Sequence, residues 1–155
     1  MKLSRRQTLQ TAGGLGLYAT LAAIGLLPTG AAAQAFDAAA FQAKSMADAL
    51  KALGVNAPAD SKDVVINSPD IAENGAVVPV GIRSSLPKTD FMALLVDKNP
   101  QPLAGAYTLM EGADADVNMR IKMGQSSDVI AVVRADGKYY MAKKEIKVTL
   151  GGCGG

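Results

Sequence analysis

From Val64 to Leu150, apolar and polar residues alternate with a period of two in short runs, and this pattern limits the possible folds more than any other feature. Successive side chains of a β-strand point to opposite faces, so such runs predict strands with one buried face. Regular spacing of seven short strands predicts a mainly β domain over 61–150, an immunoglobulin-like β-sandwich. A small β-barrel is the alternative. The seven runs are 64–69, 76–85, 90–99, 103–110, 116–123, 128–135 and 138–150.

Turn-forming residues separate the runs. The strongest of these signals is Asp136-Gly137, which lies between two alternating runs and predicts a tight hairpin. Pro79 lies within the second run and predicts an edge position or a bulge there, because proline has no N–H to donate to a neighbouring strand. The other separators are Asn74-Gly75, Asn99-Pro100, Glu111-Gly112 and Gly124.

The alternation also predicts which side chains share a face. In the fifth run one face carries Val117, Met119, Ile121 and Met123, and in the last run Tyr140, Ala142, Ile146, Val148 and Leu150 share a face.

The run from Phe91 to Val96 is apolar on both faces, and small apolar residues occupy both faces of 103–107. A strand without a polar face is central or covered by another layer. Two interpretations stay open: both stretches lie mid-sandwich under a helix, or one of these faces binds a second subunit.

Residues 36–54 are rich in alanine and other strong helix formers, and they predict one helix before the sheet region. Asp37 is placed to cap its start and Gly54 to end it. Turn formers between the helix and residue 60 predict a linker, so that 36–60 comprises helix and linker.

The first 35 residues predict a cleaved export signal. Lys2, Arg5 and Arg6 precede an apolar stretch over 15–27, and Ala33-Gln34-Ala35 is a cleavage site that would leave Phe36 as the new N-terminus. A membrane anchor is the alternative, but the stretch is short of the roughly 20 residues that a spanning helix needs. The arginine pair is typical of a twin-arginine signal, with the general secretory route as its alternative. Either route predicts a periplasmic protein whose mature form has no membrane segment.

Removing the signal changes the charge of the chain. The whole sequence has 16 Lys and Arg against 14 Asp and Glu, and the three basic residues of the signal are the only charges before Phe36. The mature chain therefore has 13 basic and 14 acidic side chains. Without a basic surface interleaved with aromatic residues, nucleic acid is not an expected partner.

Cys153 is the single cysteine of the chain, and the sequence contains no histidine. One cysteine cannot form an internal disulfide, so it stays free, is modified or pairs with another chain. The lack of histidine excludes a Cys-His or Ser-His catalytic pair and an imidazole metal site. We therefore expect neither a metal nor a cofactor, and no catalysis by this chain alone.

The thiol lies in a C-terminal arm, residues 151–155, in which Gly151, Gly152, Gly154 and Gly155 surround Cys153. Glycine has the widest conformational freedom, and three extended residues place the thiol roughly 10 Å beyond the last strand. A thin mobile thiol suits insertion into the active site of another protein, which predicts a covalent carrier. The alternatives are a labelling tag, a lipidation box, a ubiquitin-like sulfur carrier, and an interaction module that dimerises through a Cys153 disulfide.

Three lysines, Lys143, Lys144 and Lys147, shortly precede the arm. They predict a mildly positive surrounding that favours the thiolate or an anionic adduct, although salt screens exposed charges. Taken individually, each lysine is better explained as part of a solvated strand face.

The signal, the segment "IAENGAVVPV" at 71–80 and the ending "VTLGGCGG" together resemble the SoxY family, the sulfur-carrying subunits of the periplasmic thiosulfate-oxidising system. The resemblance implies that Cys153 carries thiosulfate and its oxidation intermediates as covalent adducts, with the four neighbouring glycines as a swinging arm. It also implies a heterodimer with a second β-sandwich subunit, SoxZ. The arm would visit a c-type haem complex, a dimanganese hydrolase and a sulfane dehydrogenase.

Overall fold

A computed structural model describes residues 38–149. Within this range the chain forms two helices and nine strands, in the order α1, α2, β1 to β9. The helices are α1 (Ala38–Gln42) and α2 (Met46–Ala52). The strands are β1 (Ala59–Asp60), β2 (Val64–Asn67), β3 (Ile71–Ala72), β4 (Val78–Ser84), β5 (Thr89–Val96), β6 (Leu103–Thr108), β7 (Asp116–Ile121), β8 (Ser127–Ala135) and β9 (Lys138–Val148).

The N-terminal region contains two short helices, so the prediction of a single helix over 36–54 is wrong. The helix is interrupted before Ser45, whose backbone is extended and whose side chain accepts a hydrogen bond from the N–H of Asp48 at 3.1 Å. This N-cap starts α2 anew, since a capping residue is not itself helical. The predicted end is confirmed: Gly54 has a φ of 70°, and the N–H of Val55 donates to the carbonyl of Leu50. Asp37, the predicted cap, lies outside the described residues.

The strands form two sheets packed face to face, which confirms the predicted sandwich. The larger sheet has the order β1-β9-β8-β5-β6, with β3 also paired to β9, and the smaller sheet has the order β2-β4-β7. All seven predicted strands are present. The two additional strands, β1 and β3, are two residues long and pair in parallel with opposite ends of β9.

Two apolar clusters stabilise the domain. The first lies between the sheets and includes Met92, Leu94 and Val96 of β5. The second lies between the larger sheet and the helices and includes Ala93 and Leu95 of the same strand. The predicted coverage of 91–96 by a helix is thereby confirmed, because alternate side chains enter the two clusters. For 103–107 the outcome is mixed: Leu103 and Ala106 also pack in the second cluster, but β6 is an edge strand of the larger sheet rather than a central one.

The structure confirms the predicted hairpin at Asp136-Gly137 and the predicted edge position of Pro79. Asp136 and Gly137 have φ of 49° and 74°, and they join β8 to β9 with Ala135 opposite Lys138. Pro79 pairs with Arg120 of β7, whereas β2 pairs with β4 only from Gly81 onward. Proline thus lies where β4 has a partner on one side alone.

The predicted faces of β7 and β9 are also those that the structure has. The side chains that reach the cluster between the sheets are Val117, Met119, Ile121 and Met123, then Tyr140, Ala142, Ile146 and Val148.

Within residues 38–149, no helix has the length and apolar character to cross a membrane.

Candidate functional site

The predicted site residue Cys153 lies outside the described residues, as do Gly151, Gly152, Gly154, Gly155 and Leu150. The described chain ends at Thr149. The structure therefore gives the end of β9 that precedes the arm, and we call Lys147–Thr149 the arm root.

On one side the arm root pairs with β3. The N–H of Lys147 donates to the carbonyl of Asp70 at 2.9 Å, and the N–H of Thr149 donates to the carbonyl of Ala72 at 3.1 Å. The hydroxyl of Thr149 also lies 3.5 Å from the carbonyl oxygen of Ala72. The two strands are parallel, with Ile71 opposite Lys147. The chain is thus still hydrogen-bonded at Thr149.

On the other side the arm root is held by the side chain of Ser126. The pairing of β8 with β9 ends where Ser127 lies opposite Ile146. One residue further, the hydroxyl of Ser126 accepts the N–H of Val148 at 2.9 Å and lies 3.4 Å from the carbonyl oxygen of Val148. Both sides of the last strand are therefore bonded up to the residue before the described chain ends.

A close approach at Gly75 completes the arm root. The N–H of Met123 donates to the carbonyl of Gly75 at 2.7 Å. A Cβ at residue 75 would overlap the carbonyl oxygen of Met123 and lie 2.9 Å from Cγ1 of Val148, so only glycine fits. The side chain of Asn74 accepts the N–H of Ala76 at 2.9 Å and shapes the turn that brings Gly75 there.

These contacts give a structural role to the segment 71–80. The sequence assigned Asn74-Gly75 as a separator between strands and did not indicate β3. The first part of the segment instead lies against the arm root, and its second part is β4. Gly75 was the available signal, because a glycine can mark a close backbone approach as well as a turn.

The three lysines before the arm differ in their partners. Lys143 forms an ion pair with Asp128 at 2.7 Å, and the hydrogen bond to that carboxylate raises the pKa of Lys143. Lys144 pairs with Asp70 at 3.0 Å and donates to the carbonyl of Ser68 at 2.6 Å. Of the ion pairs between residues 38 and 149, none involves Lys147. Lys143 and Lys144 thus each have a carboxylate partner, and Lys147 has none among the described residues.

No group of three or more acidic or cysteine side chains is placed to hold a metal ion in the part of the chain that the structure covers.

Comparison with known proteins places this geometry in a family. The family model described as sulfur oxidation protein SoxY matches residues 49–153, a range that begins in α2 and ends at Cys153. The solved structure of the sulfur carrier protein SoxY from Chlorobium limicola f thiosulfatophilum is similar, with a TM-score of 0.62 and 32% sequence identity, covering 68% of this chain and 97% of that chain. Comparison with curated proteins gave no match.

A second group of similar structures shows the sandwich alone. Superoxide reductase (neelaredoxin) from Ignicoccus hospitalis has a TM-score of 0.50 and 19% identity, and it covers 56% of this chain and 80% of that chain. The match to SoxY is different in kind, because it combines the fold with sequence identity and extends to the terminal cysteine. The chain belongs to the SoxY family of sulfur oxidation proteins.

Proposed function

We propose that this protein is a periplasmic sulfur carrier that holds thiosulfate-derived intermediates covalently on Cys153 and presents them to partner enzymes. The observation that carries the proposal is the family match up to Cys153, the single cysteine of the chain. The arm root supports it, because the last strand is hydrogen-bonded to the body up to Thr149, four residues before the thiol.

The chemistry divides between carrier and partners. Joining the thiol sulfur to the outer sulfur of thiosulfate releases one proton and two electrons, so the step needs an oxidant, which a c-type haem partner would supply. Hydrolysis of the terminal sulfur–sulfur bond then releases sulfate and leaves one sulfur on Cys153, a step for a dimanganese hydrolase. A sulfane dehydrogenase would oxidise the remaining sulfur. In this scheme the chain supplies the attachment point and no catalysis of its own.

The proposed assembly includes a second β-sandwich subunit of the SoxZ type. Gly151, Gly152, Gly154 and Gly155 are proposed to keep the arm narrow and mobile, because glycine has no Cβ and few steric limits on φ and ψ. Lys147 is proposed to attract the anionic adduct, since its charge is uncompensated by the ion pairs described above.

Intact mass measured without reductant tests the proposal. The mature protein is recovered from the periplasm of cells oxidising thiosulfate, and its mass is compared before and after treatment with dithiothreitol. We expect monomer with a sulfur-containing adduct that the reductant removes. An unmodified thiol in all of the protein would contradict carriage, and a disulfide-linked dimer alone would favour an interaction module.

The arm glycines offer a size-dependent prediction. We expect Gly152→Trp and Gly154→Trp to lower the rate of loading by partner enzymes about tenfold, a barrier increase of ~1.4 kcal/mol, because a large side chain obstructs a narrow channel. Gly152→Ala and Gly154→Ala are the matched controls, with only a small expected effect. The measurements are loading rate by intact mass and thermal unfolding, and the latter should not change. Equal rates for tryptophan and alanine variants would argue against a narrow channel.

A further inference from the structure

We propose that Ser126 is a positioning residue for the sulfur-bearing arm: its hydroxyl fixes Val148, so that the chain stays bonded to the body as far as Thr149. The inference rests on the proposed carriage of sulfur by Cys153. It concerns where the arm begins, which the sequence of the arm itself does not determine.

Two contacts of one hydroxyl carry the inference. The oxygen of Ser126 is 2.9 Å from the N–H nitrogen and 3.4 Å from the carbonyl oxygen of Val148. A hydroxyl has one donor and two acceptor positions, so it can satisfy both groups of the same residue. Ser126 thus continues on β9 the bonding that the backbone of β8 provides as far as the pair of Ser127 with Ile146.

The pairing with β3 cannot replace Ser126. Along a strand, the backbone groups of successive residues point alternately to the two sides. Lys147 and Thr149 bond to the β3 side, through Asp70 and Ala72. Val148 faces the other side, where Ser126 is its partner. Without the hydroxyl, the arm root would be held from one side only, by a strand two residues long.

The consequence is a defined reach for the thiol. Cys153 is four residues beyond Thr149, so an extended chain places it within ~14 Å of that point. If losing the hydroxyl also released the short pairing with β3, the last bonded residue would be Ile146, and the same thiol would be seven residues from its anchor. Effective concentration falls roughly as the −3/2 power of tether length, which is about a twofold loss at a docked partner.

The experiment measures the position of the thiol and its loading in the same variants. Spin labels are placed on Cys153 and, through Met110→Cys, on a side chain that is 86% exposed. Met110 follows β6, at the end of the larger sheet that carries the Asp136-Gly137 hairpin, opposite the arm root. Double electron–electron resonance on the full mature chain then gives the distribution of distances between the labels. Loading rate is measured by intact mass, without labels, in the native sequence background.

We expect Ser126→Ala to broaden the distance distribution and to slow loading about twofold, while the final loaded fraction stays the same. Ser126→Thr retains the hydroxyl and should restore both values. Ser84→Ala is the matched control, because Ser84 is also a half-buried serine whose hydroxyl bonds, to Thr89 at 3.0 Å and Leu86 at 3.2 Å, lie at the other end of the sandwich. It should leave both values unchanged.

The outcomes separate this inference from the proposed function. An unchanged distribution in Ser126→Ala, or equal broadening in Ser126→Thr and Ser126→Ala, would overturn the positioning role even if every variant loads fully. Broadening only in Ser126→Ala would support it even if no variant, including the native sequence, acquires sulfur. A failure of every variant, including the native sequence, to acquire sulfur would instead contradict carriage by Cys153.

Discussion

The variant Cys153→Ser is expected to acquire no sulfur adduct at all and to unfold at the same temperature as the native protein. A serine hydroxyl is a far weaker nucleophile than a thiolate and forms no stable sulfur adduct, so one substitution removes the attachment point. Stability should not change, because the substitution exchanges a single side-chain atom in a segment whose other residues are glycines.

Intact mass after exposure to thiosulfate and the partner enzymes measures loading, and thermal unfolding measures stability. Native protein alkylated with iodoacetamide is the control, because it blocks the same sulfur without changing the sequence. An adduct on Cys153→Ser would place the attachment elsewhere and contradict the carrier mechanism. A large fall in the unfolding temperature would show that residue 153 packs against the body.

The variant Gly75→Ala is expected to lower the free energy of unfolding by about 1–3 kcal/mol. The added Cβ would overlap the carbonyl oxygen of Met123, which is backbone and cannot move away as a flexible side chain can. The clash also involves Val148, so the arm root itself must shift. Urea unfolding at equilibrium gives the change in free energy.

Gly124→Ala is the matched control for this substitution. It lies one residue after Met123, and a Cβ there would have no atom within 4 Å. Removing a glycine from an unstrained position stabilises a protein by ~0.4–1 kcal/mol through the unfolded state. The two substitutions should therefore change stability in opposite directions. Equal effects at 75 and 124 would show that the close approach at Gly75 is relieved without cost.

The strands could be predicted from the sequence because their signal is local. Each of the seven long strands alternates over enough residues to show its period, and the Asp136-Gly137 turn has its own backbone requirement. The strands β1 and β3 have two residues each, which is too short for any period. They are strands because β9 offers them a free edge, and that information lies far away in the chain.

The helical region shows how a capping residue can outweigh composition. The alanine-rich residues of 36–54 predict one helix by propensity, but Ser45 followed three residues later by Asp48 begins a second one. The sequence contained this signal: a serine three residues before an acidic residue is typical of a helix start. In the structure the two side chains are 2.6 Å apart, which fixes the cap.

The candidate site could be predicted only as far as its signals are local in the sequence. A single cysteine among glycines at the end of the chain is visible in the sequence, and so is the absence of histidine. The arm root is not visible, because it joins Ser126 to a residue 22 positions away and Ala72 to a residue 77 positions away. Likewise, the ion pairs of Lys143 and Lys144 depend on which segments are neighbours in the fold. The sequence therefore could not show that these two lysines have carboxylate partners while Lys147 has none among the described residues.

The parallel pairing of β3 with β9 has a consequence for the order of folding. Ala72 and Thr149 are 77 positions apart, so their contact closes one of the longest loops in the domain. The entropy of closing such a loop is lost before the contact contributes any stability, and contacts of this kind slow folding. We expect this pairing to form late, after the β8–β9 hairpin. The point from which the thiol extends is then defined only in molecules that have finished folding, so a partially folded chain would lack a fixed anchor for its sulfur-bearing arm.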